Sequence, residues 1–356
     1  MESGGTVVLD GSEGEGGGQI LRTALSLSLI TGRALHIENV RANRKPAGLR
    51  PQHLACVRGA VAVSGARVEG AQVGGSELWF EPGPVKPGQY LLEVGTAGST
   101  PLLFQCLYFP LALGGGGELT LRGGTHVAHS PSYHYLVRVW LPAMRRFGFD
   151  ATLSLRYAGF YPEGTGELRA KIPPSLGSRQ RVDLRARGML YEVGVTSMVA
   201  NLPFEIAERQ AKAASSALRE RGIAAEVEKV PLPSLGSTGT MVFIRAEFEH
   251  SVAGFSALGE KGKRAEEVGR EAAAELARFM ESAGAIDEHL GDQILVPAAL
   301  LAAGKLGEPA PSRYRPAKIS AHLTTNARVL ERFLPIVVVV ESGEVMVLPK
   351  SAVKAG

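Results

Sequence analysis

Near the C-terminal end, Ser320-Ala-His322-Leu-Thr-Thr-Asn326 sets an imidazole among hydroxyl and amide side chains. Imidazole titrates close to neutral pH, which suits proton transfer or attack on an electrophile. A loop histidine is nevertheless more often an ordinary polar residue, and its chemistry depends on what joins it. Two other stretches are candidates: the turn Asp10-Gly-Ser-Glu-Gly-Glu-Gly-Gly-Gly-Gln19, and His289-Leu-Gly-Asp292-Gln293. Glycines entering a helix N-terminus make a seat of backbone N–H groups for an anion. This turn lacks both the Gly-Lys-Ser/Thr ending of a Walker motif and the dinucleotide-binding spacing. Glu13 and Glu15 would repel a phosphate there unless a divalent cation bridged them. Two readings of Glu15 follow: a Mg2+ ligand, or a solvated carboxylate on a tight turn.

The loop 41–53 gathers Arg41, Arg44, Lys45 and Arg50 with Gln52 and His53, and Arg22 on the helix after the glycine turn can join them. Planar guanidinium forks suit a dianionic phosphate, although a solvated basic loop would look the same. Asp292 and Gln293 are expected to open the apolar helix 294–303. There they either cap orphan N–H groups or hydrogen-bond a purine or ribose at the helix mouth. His126, His129 and His134 lack the cysteine or carboxylate that would complete a tetrahedral metal set. Pro131 beside them can serve as an apolar wall for a base.

Positioning these groups requires a strand–turn–helix start: strand 6–9, then helix 20–30, apolar nearly all round and therefore buried against a sheet. Strand 34–40, helix 53–64, strands 66–73 and 77–81, strand 90–94, helix 102–113, strand 118–122 and helix 132–146 follow. A helix, a glycine and two strands recur at 53–80 around Gly65, 133–172 around Gly148 and 206–248 around Gly222, and without the glycine at 326–348. A period of roughly 75–85 residues exceeds that of solenoids and points to duplicated α/β units. Residues 173–179 resemble a linker. More charged helices between 182 and 270 suggest a smaller α/β domain inserted into a larger one made of 1–181 and 271–356, with helix 264–283 leading back.

Composition sets bounds. At 356 residues, 45% hydrophobic and 21% charged, the chain has ample core for a large and a small domain. A net charge of +4 permits a polyanionic partner without demanding one. Cys56 and Cys106 each lie in an apolar run and read as buried free thiols in a reducing compartment. No signal-peptide pattern and no membrane-length apolar run is seen, so the expected location is cytoplasmic.

Taken together and in this order, Asp10–Arg22, the loop from Arg41 through Arg44 to Leu49, Gly95–Thr100, Gly123-Gly-Thr125, His289–Gln293 and His322–Asn326 strongly resemble the RNA 3′-terminal phosphate cyclase family. The resemblance runs nearly end to end. It implies a large domain of repeated βαβαββ units related to the enolpyruvyl transferases, with a smaller α/β domain inserted. It also implies conversion of an RNA 3′-phosphate to a 2′,3′-cyclic phosphate, using ATP with Mg2+ (or Mn2+) and releasing AMP and pyrophosphate. By the same resemblance His322 is the nucleophile that becomes adenylylated. Gln105, Pro131, His289, Asp292 and Gln293 contact ATP, Glu15 binds the metal, and Arg22, Arg41 and Arg44 serve the RNA end and its phosphate. His289 stands where relatives also carry tyrosine. The rival expectations are a non-catalytic cyclase-like RNA-binding scaffold, which lacks the nucleophilic histidine, and an enolpyruvyl-transferase-like enzyme.

Overall fold

A computed structural model describes residues 5–14, 17–177 and 181–353. It opens with β1 (Val7–Asp10), α1 (Gly18–Thr31), β2 (Leu35–Glu38), α2 (Pro51–Ser64), β3 (Arg67–Glu69) and β4 (Leu78–Glu81). These strands form one sheet in the order β1-β2-β4-β3, with β1 and β2 parallel and the other two pairings antiparallel. The order is repeated in β5 (Gln89–Glu93), α3 (Thr100–Leu113), β6 (Gly117–Gly123), α4 (Tyr133–Tyr135), a π-helical turn Leu136–Trp140, α5 (Leu141–Arg145), β7 (Thr152–Tyr157) and β8 (Gly166–Ile172), whose sheet runs β5-β6-β8-β7. The expected helix 132–146 is therefore continuous in position but carries a widened turn in the middle.

β9 (Val182–Leu184) starts a third sheet and is followed by β10 (Leu190–Ala200), α6 (Phe204–Arg219), β11 (Glu226–Pro231), β12 (Gly239–Phe248), β13 (Val252–Leu258) and α7 (Ala265–Glu281). Next come α8 (Glu288–Gln293), α9 (Leu295–Ala302), β14 (Ser312–Tyr314), α10 (Ala321–Phe333), β15 (Ile336–Glu341), β16 (Glu344–Pro349) and the short α11 (Lys350–Val353). β9 pairs in parallel with β14, more than a hundred residues later, and the sheet β15-β16-β14-β9 has the same order and orientations as the first two. The fourth sheet, β11-β10-β12-β13, differs. Its helix-then-two-strands segment is no hairpin, because β11 pairs in parallel with β10 instead of with β12.

Gly65, Gly148 and Gly222 follow their helices with φ of 67°, 78° and 73°, a region a side chain disfavours. The last unit needs no such glycine, since α10 runs into extended backbone at Leu334, φ −121° and ψ 146°. α1 packs against α2, α3 and α10, which explains its buried residues on most faces, among them Ile20, Leu21, Ala24, Leu25 and Leu27. One hydrophobic cluster joins the first three sheets, and a second gathers β10, β12 and β13 with α6 and α7, around Val195, Ile244, Leu218 and Leu276. Cys56 and Cys106 are free and buried, as expected. Among the described residues no helix is long and apolar enough to cross a membrane.

Candidate functional site

Helical spacing brings one wall together. Gln19, Arg22, Thr23 and Ser26 on α1 and Leu102, Gln105, Cys106 and Phe109 on α3 each fall at i, i+3, i+4 and i+7, one face of a helix. Both sets line a cleft of about 1010 Å³. His322 and Asn326 enter it from α10, His289, Asp292 and Gln293 from α8, and Pro131 from the loop after β6. Residues of β13 and α7 close the far side. Seven sequence-derived candidates thus share one space: His322, Gln105, Pro131, His289, Asp292, Gln293 and Arg22.

His322 lies inside the first turn of α10 instead of in a loop. Ser320 is the N-cap, its Oγ accepting from Leu323 N at 2.9 Å. The same hydroxyl donates to Asp292 Oδ1 at 2.5 Å, coupling the start of α10 to α8. His322 Nδ1 meets Gln19 Oε1 at 2.7 Å across 303 residues of chain. An amide oxygen only accepts, so Nδ1 carries the hydrogen and the ring lone pair sits on Nε2. No sequence signal singled out Gln19, although it closes the glycine turn.

The glycine turn itself is seated on α10. Gly14 has φ +57°, and a Cβ there would collide with Thr325 Oγ1, one turn along from His322. Glu15 lies outside the described residues. On either side of it, Gly14 and Gln19 both reach α10.

Asp292 and Gln293 do not open the apolar helix: they end α8, and Ile294 separates them from α9. The N-cap of α8 is Asp287, which sequence reasoning passed over in favour of the later aspartate. Asp287 Oδ1 accepts from Leu290 N at 2.9 Å and from Tyr135 Oη at 2.8 Å, and Oδ2 from Gly254 N at 3.3 Å. The helix start is thereby tied to the π turn's neighbour and to β13. Gln105 Nε2 donates to Gln293 Oε1 at 2.7 Å, joining α3 to α8 across the cleft. Two buried atoms of the lining, Ser26 Oγ and Asn326 Oδ1, have no hydrogen-bond partner among the described residues. Such atoms are satisfied by ligand or water.

Burial pushes Asp292 up to about 7, against the lowering effect of Ser320. A free carboxyl ionises near 4. Between those values the unfolded chain gives up a proton that the folded chain keeps, so this group's stabilisation is full below about 4 and is lost as pH rises through about 7. Asp292→Asn, neutral at every pH, should therefore melt higher relative to the parent at pH 8 than at pH 5. Thermal melts of both proteins across that range check it.

The arginine loop sits at the Arg22 end. Arg41, Arg44 and Arg50 lie close enough to Arg22 for Arg41's guanidinium to be lowered, first by burial and then by the other three. His53 is driven down to about 3 by burial and by Arg22, Arg41 and Arg50, and stays neutral. Its Nδ1 accepts from Arg50 N at 3.1 Å. Gly18 makes room, since a Cβ there would strike the His53 ring and lie 2.8 Å from Arg22 Nη1. Like charges crowded in this way repel one another until an anion joins them. Arg41 and Arg44 do not line the cleft. Arg41 Nη1 instead donates to Pro46 O and Gly48 O, both at 3.0 Å, and frames its own loop.

His126 Nε2 contacts His134 Nδ1 at 3.1 Å and its Nδ1 contacts Thr125 Oγ1 at 2.7 Å, while His129 adopts φ +57°. Burial holds His126 well below its ordinary value and His134 down to about 4.

A family model described as RNA 3′-terminal phosphate cyclase matches residues 13–340. A protein of that name from Methylococcus capsulatus is 44% identical over 333 residues, covering 91% of this chain and 90% of its own. Proteins of the same name from Archaeoglobus fulgidus and Pyrococcus furiosus are each 40% identical, covering 96% and 97% of this chain and 99% of their own.

Proposed function

The chain belongs to the RNA 3′-terminal phosphate cyclase family and is an enzyme of that kind acting on RNA, and from that premise we propose that it uses ATP to turn an RNA 3′-phosphate end into a 2′,3′-cyclic phosphate through an adenylylated His322. The observation that carries the proposal is the hydrogen bond of His322 Nδ1 to Gln19 Oε1, inside a cleft lined by Arg22, Gln105, Asp292 and Gln293.

His322 Nε2 attacks the α-phosphorus of ATP. A nitrogen–phosphorus bond forms, the bond to pyrophosphate breaks, and the hydrogen stays on Nδ1, directed at Gln19 Oε1. Arg22 and the crowded guanidinium groups behind it receive the charge that grows on pyrophosphate. The nucleoside lies along Gln105, Gln293, Asp292 and His289 with Pro131 as wall, where the orphaned Ser26 and Asn326 atoms support a polar guest. Glu15 would hold Mg2+ (or Mn2+), which neutralises phosphate charge.

An oxygen of the RNA 3′-phosphate then takes the adenylyl group and His322 leaves. Finally the adjacent 2′-hydroxyl oxygen bonds to the activated phosphorus and AMP departs. Ring closure is intramolecular, an advantage on the order of 7–11 kcal/mol in aligned systems. Arg41 and Arg44 orient the RNA end, Arg41 by holding the loop. The proposed chain division keeps a large domain with a smaller one inserted near 182–270, with its edges adjusted: sheet pairing supports β9 in the large domain, and the second hydrophobic cluster supports an insert running from β10 through α7; kinship to the enolpyruvyl transferases goes with the same proposal. Buried free Cys56 and Cys106 support a cytoplasmic setting.

An RNA oligonucleotide bearing a 3′-phosphate, incubated with ATP and Mg2+, should become resistant to phosphatase while AMP appears in equal amount. RNA binding without conversion would return the chain to the scaffold reading. Gln19→Ala should slow adenylylation about tenfold by releasing the tautomer while KM for ATP changes little; rapid-quench measurement of the first turnover checks this.

A further inference from the structure

A second cluster of metal-type side chains stands on the first sheet, outside the cleft. Leu35 and Ile37 of β2 are buried toward the helices, so alternation turns His36 and Glu38 to the other face. His36 is paired in register with Trp79 of β4, the ladder ends one step further at Ile37 and Leu78, and continuing it by one more residue would set Glu77 opposite Glu38. Like charges facing each other across an antiparallel pair destabilise it. Among the described residues, neither carboxylate forms an ion pair with a lysine or arginine; both turn to the one histidine.

The histidine is built in. It is only 6% exposed, with the indole of Trp79 stacked on its ring at 3.6 Å and 12°. Its Nε2 lies 2.6 Å from Glu77 Oε1 and its Nδ1 3.8 Å from Glu38 Oε1. One ring nitrogen and one oxygen of each carboxylate lie within 4.8 Å of one another. Both carboxylates are more than half exposed and open to an ion from solvent. An imidazole with two carboxylates suits a borderline divalent cation such as Zn2+ or Co2+, with water completing the shell.

We propose that His36, Glu38 and Glu77 form a second divalent-metal site, which ties β2 to β4 and takes no part in the reaction. Trp79 makes it observable. Full-length protein in excess Mg2+ is titrated with Co2+, a paramagnetic quencher, while tryptophan emission is followed, and Zn2+ is then added. Trp79→Phe separates any signal from Trp140, which lies near the cleft. The expected result is saturable quenching by one equivalent, absent in Trp79→Phe and reversed by Zn2+. His36→Ala and the exposed, same-sized Glu77→Gln should each weaken binding more than about tenfold, and Glu77→Gln should keep full cyclisation activity. Quenching that fails to saturate, or that is unchanged in Glu77→Gln, would overturn the proposal. Because the readout is Trp79 emission, the result is independent of whether His322 is adenylylated.

Discussion

His322→Ala should abolish cyclisation, with the rate of the first adenylyl transfer falling by at least about 10⁴-fold, the scale seen when a covalent nucleophile is removed. The fold should survive. His322 is exposed, and the α10 cap rests on Ser320 and Leu323. ATP affinity should change by less than about threefold, because Gln105, Asp292, Gln293 and Arg22 remain in place around the nucleotide. Rapid-quench kinetics beside equilibrium ATP binding separates the two quantities. A variant that lost binding and turnover equally would show that His322 is a binding residue.

The second large effect is expected at Arg22. It alone of the three proposed arginines lines the cleft, from the second turn of α1. Arg22→Ala should lower the adenylylation rate by about 10²–10³-fold, as expected when a donor to developing charge is removed. Arg22→Lys should recover part of this, because the charge returns without the planar fork. Arg41→Ala should differ in kind. Its guanidinium is engaged with Pro46 O and Gly48 O, so its loss should appear in thermal stability as well as in rate. Melting curves and single-turnover rates on the three variants make the comparison.

Local patterns in the chain foretold most of the elements. The apolar girdle of α1, the glycine stops after three helices and the β-branched run of β15 all depend on near neighbours. Where the sequence misled, the deciding contact was distant. Ser320 reads as loop until Asp292 and Leu323 show it to be a cap between two helices. Two aspartates precede apolar helix residues five positions apart, and only the bonds from Tyr135 and Gly254 identify Asp287 as the cap. Pairing of β9 with β14 across the intervening sheet leaves no local trace, nor does β11's choice of β10 over β12.

The candidate site divides in the same way. Residue types in the glycine turn, the arginine loop and the His322 stretch suggested phosphate chemistry, and their motifs carried the family resemblance. The partner that sets the imidazole tautomer, Gln19, depends on α1 and α10 packing side by side. Arg41 and Arg44 look equivalent in sequence to Arg22, yet only Arg22 projects into the cleft, because it lies on the helix face that forms the wall.

The most direct test is incubation of the protein with α-labelled ATP and Mg2+ in the absence of RNA. One label per chain is expected, stable to alkali and labile to acid as a phosphoramidate, mapped to His322 by peptide mass spectrometry and discharged when RNA with a 3′-phosphate end is added. No covalent label under Mg2+ or Mn2+, or a label that persists in His322→Ala, would contradict the proposed mechanism.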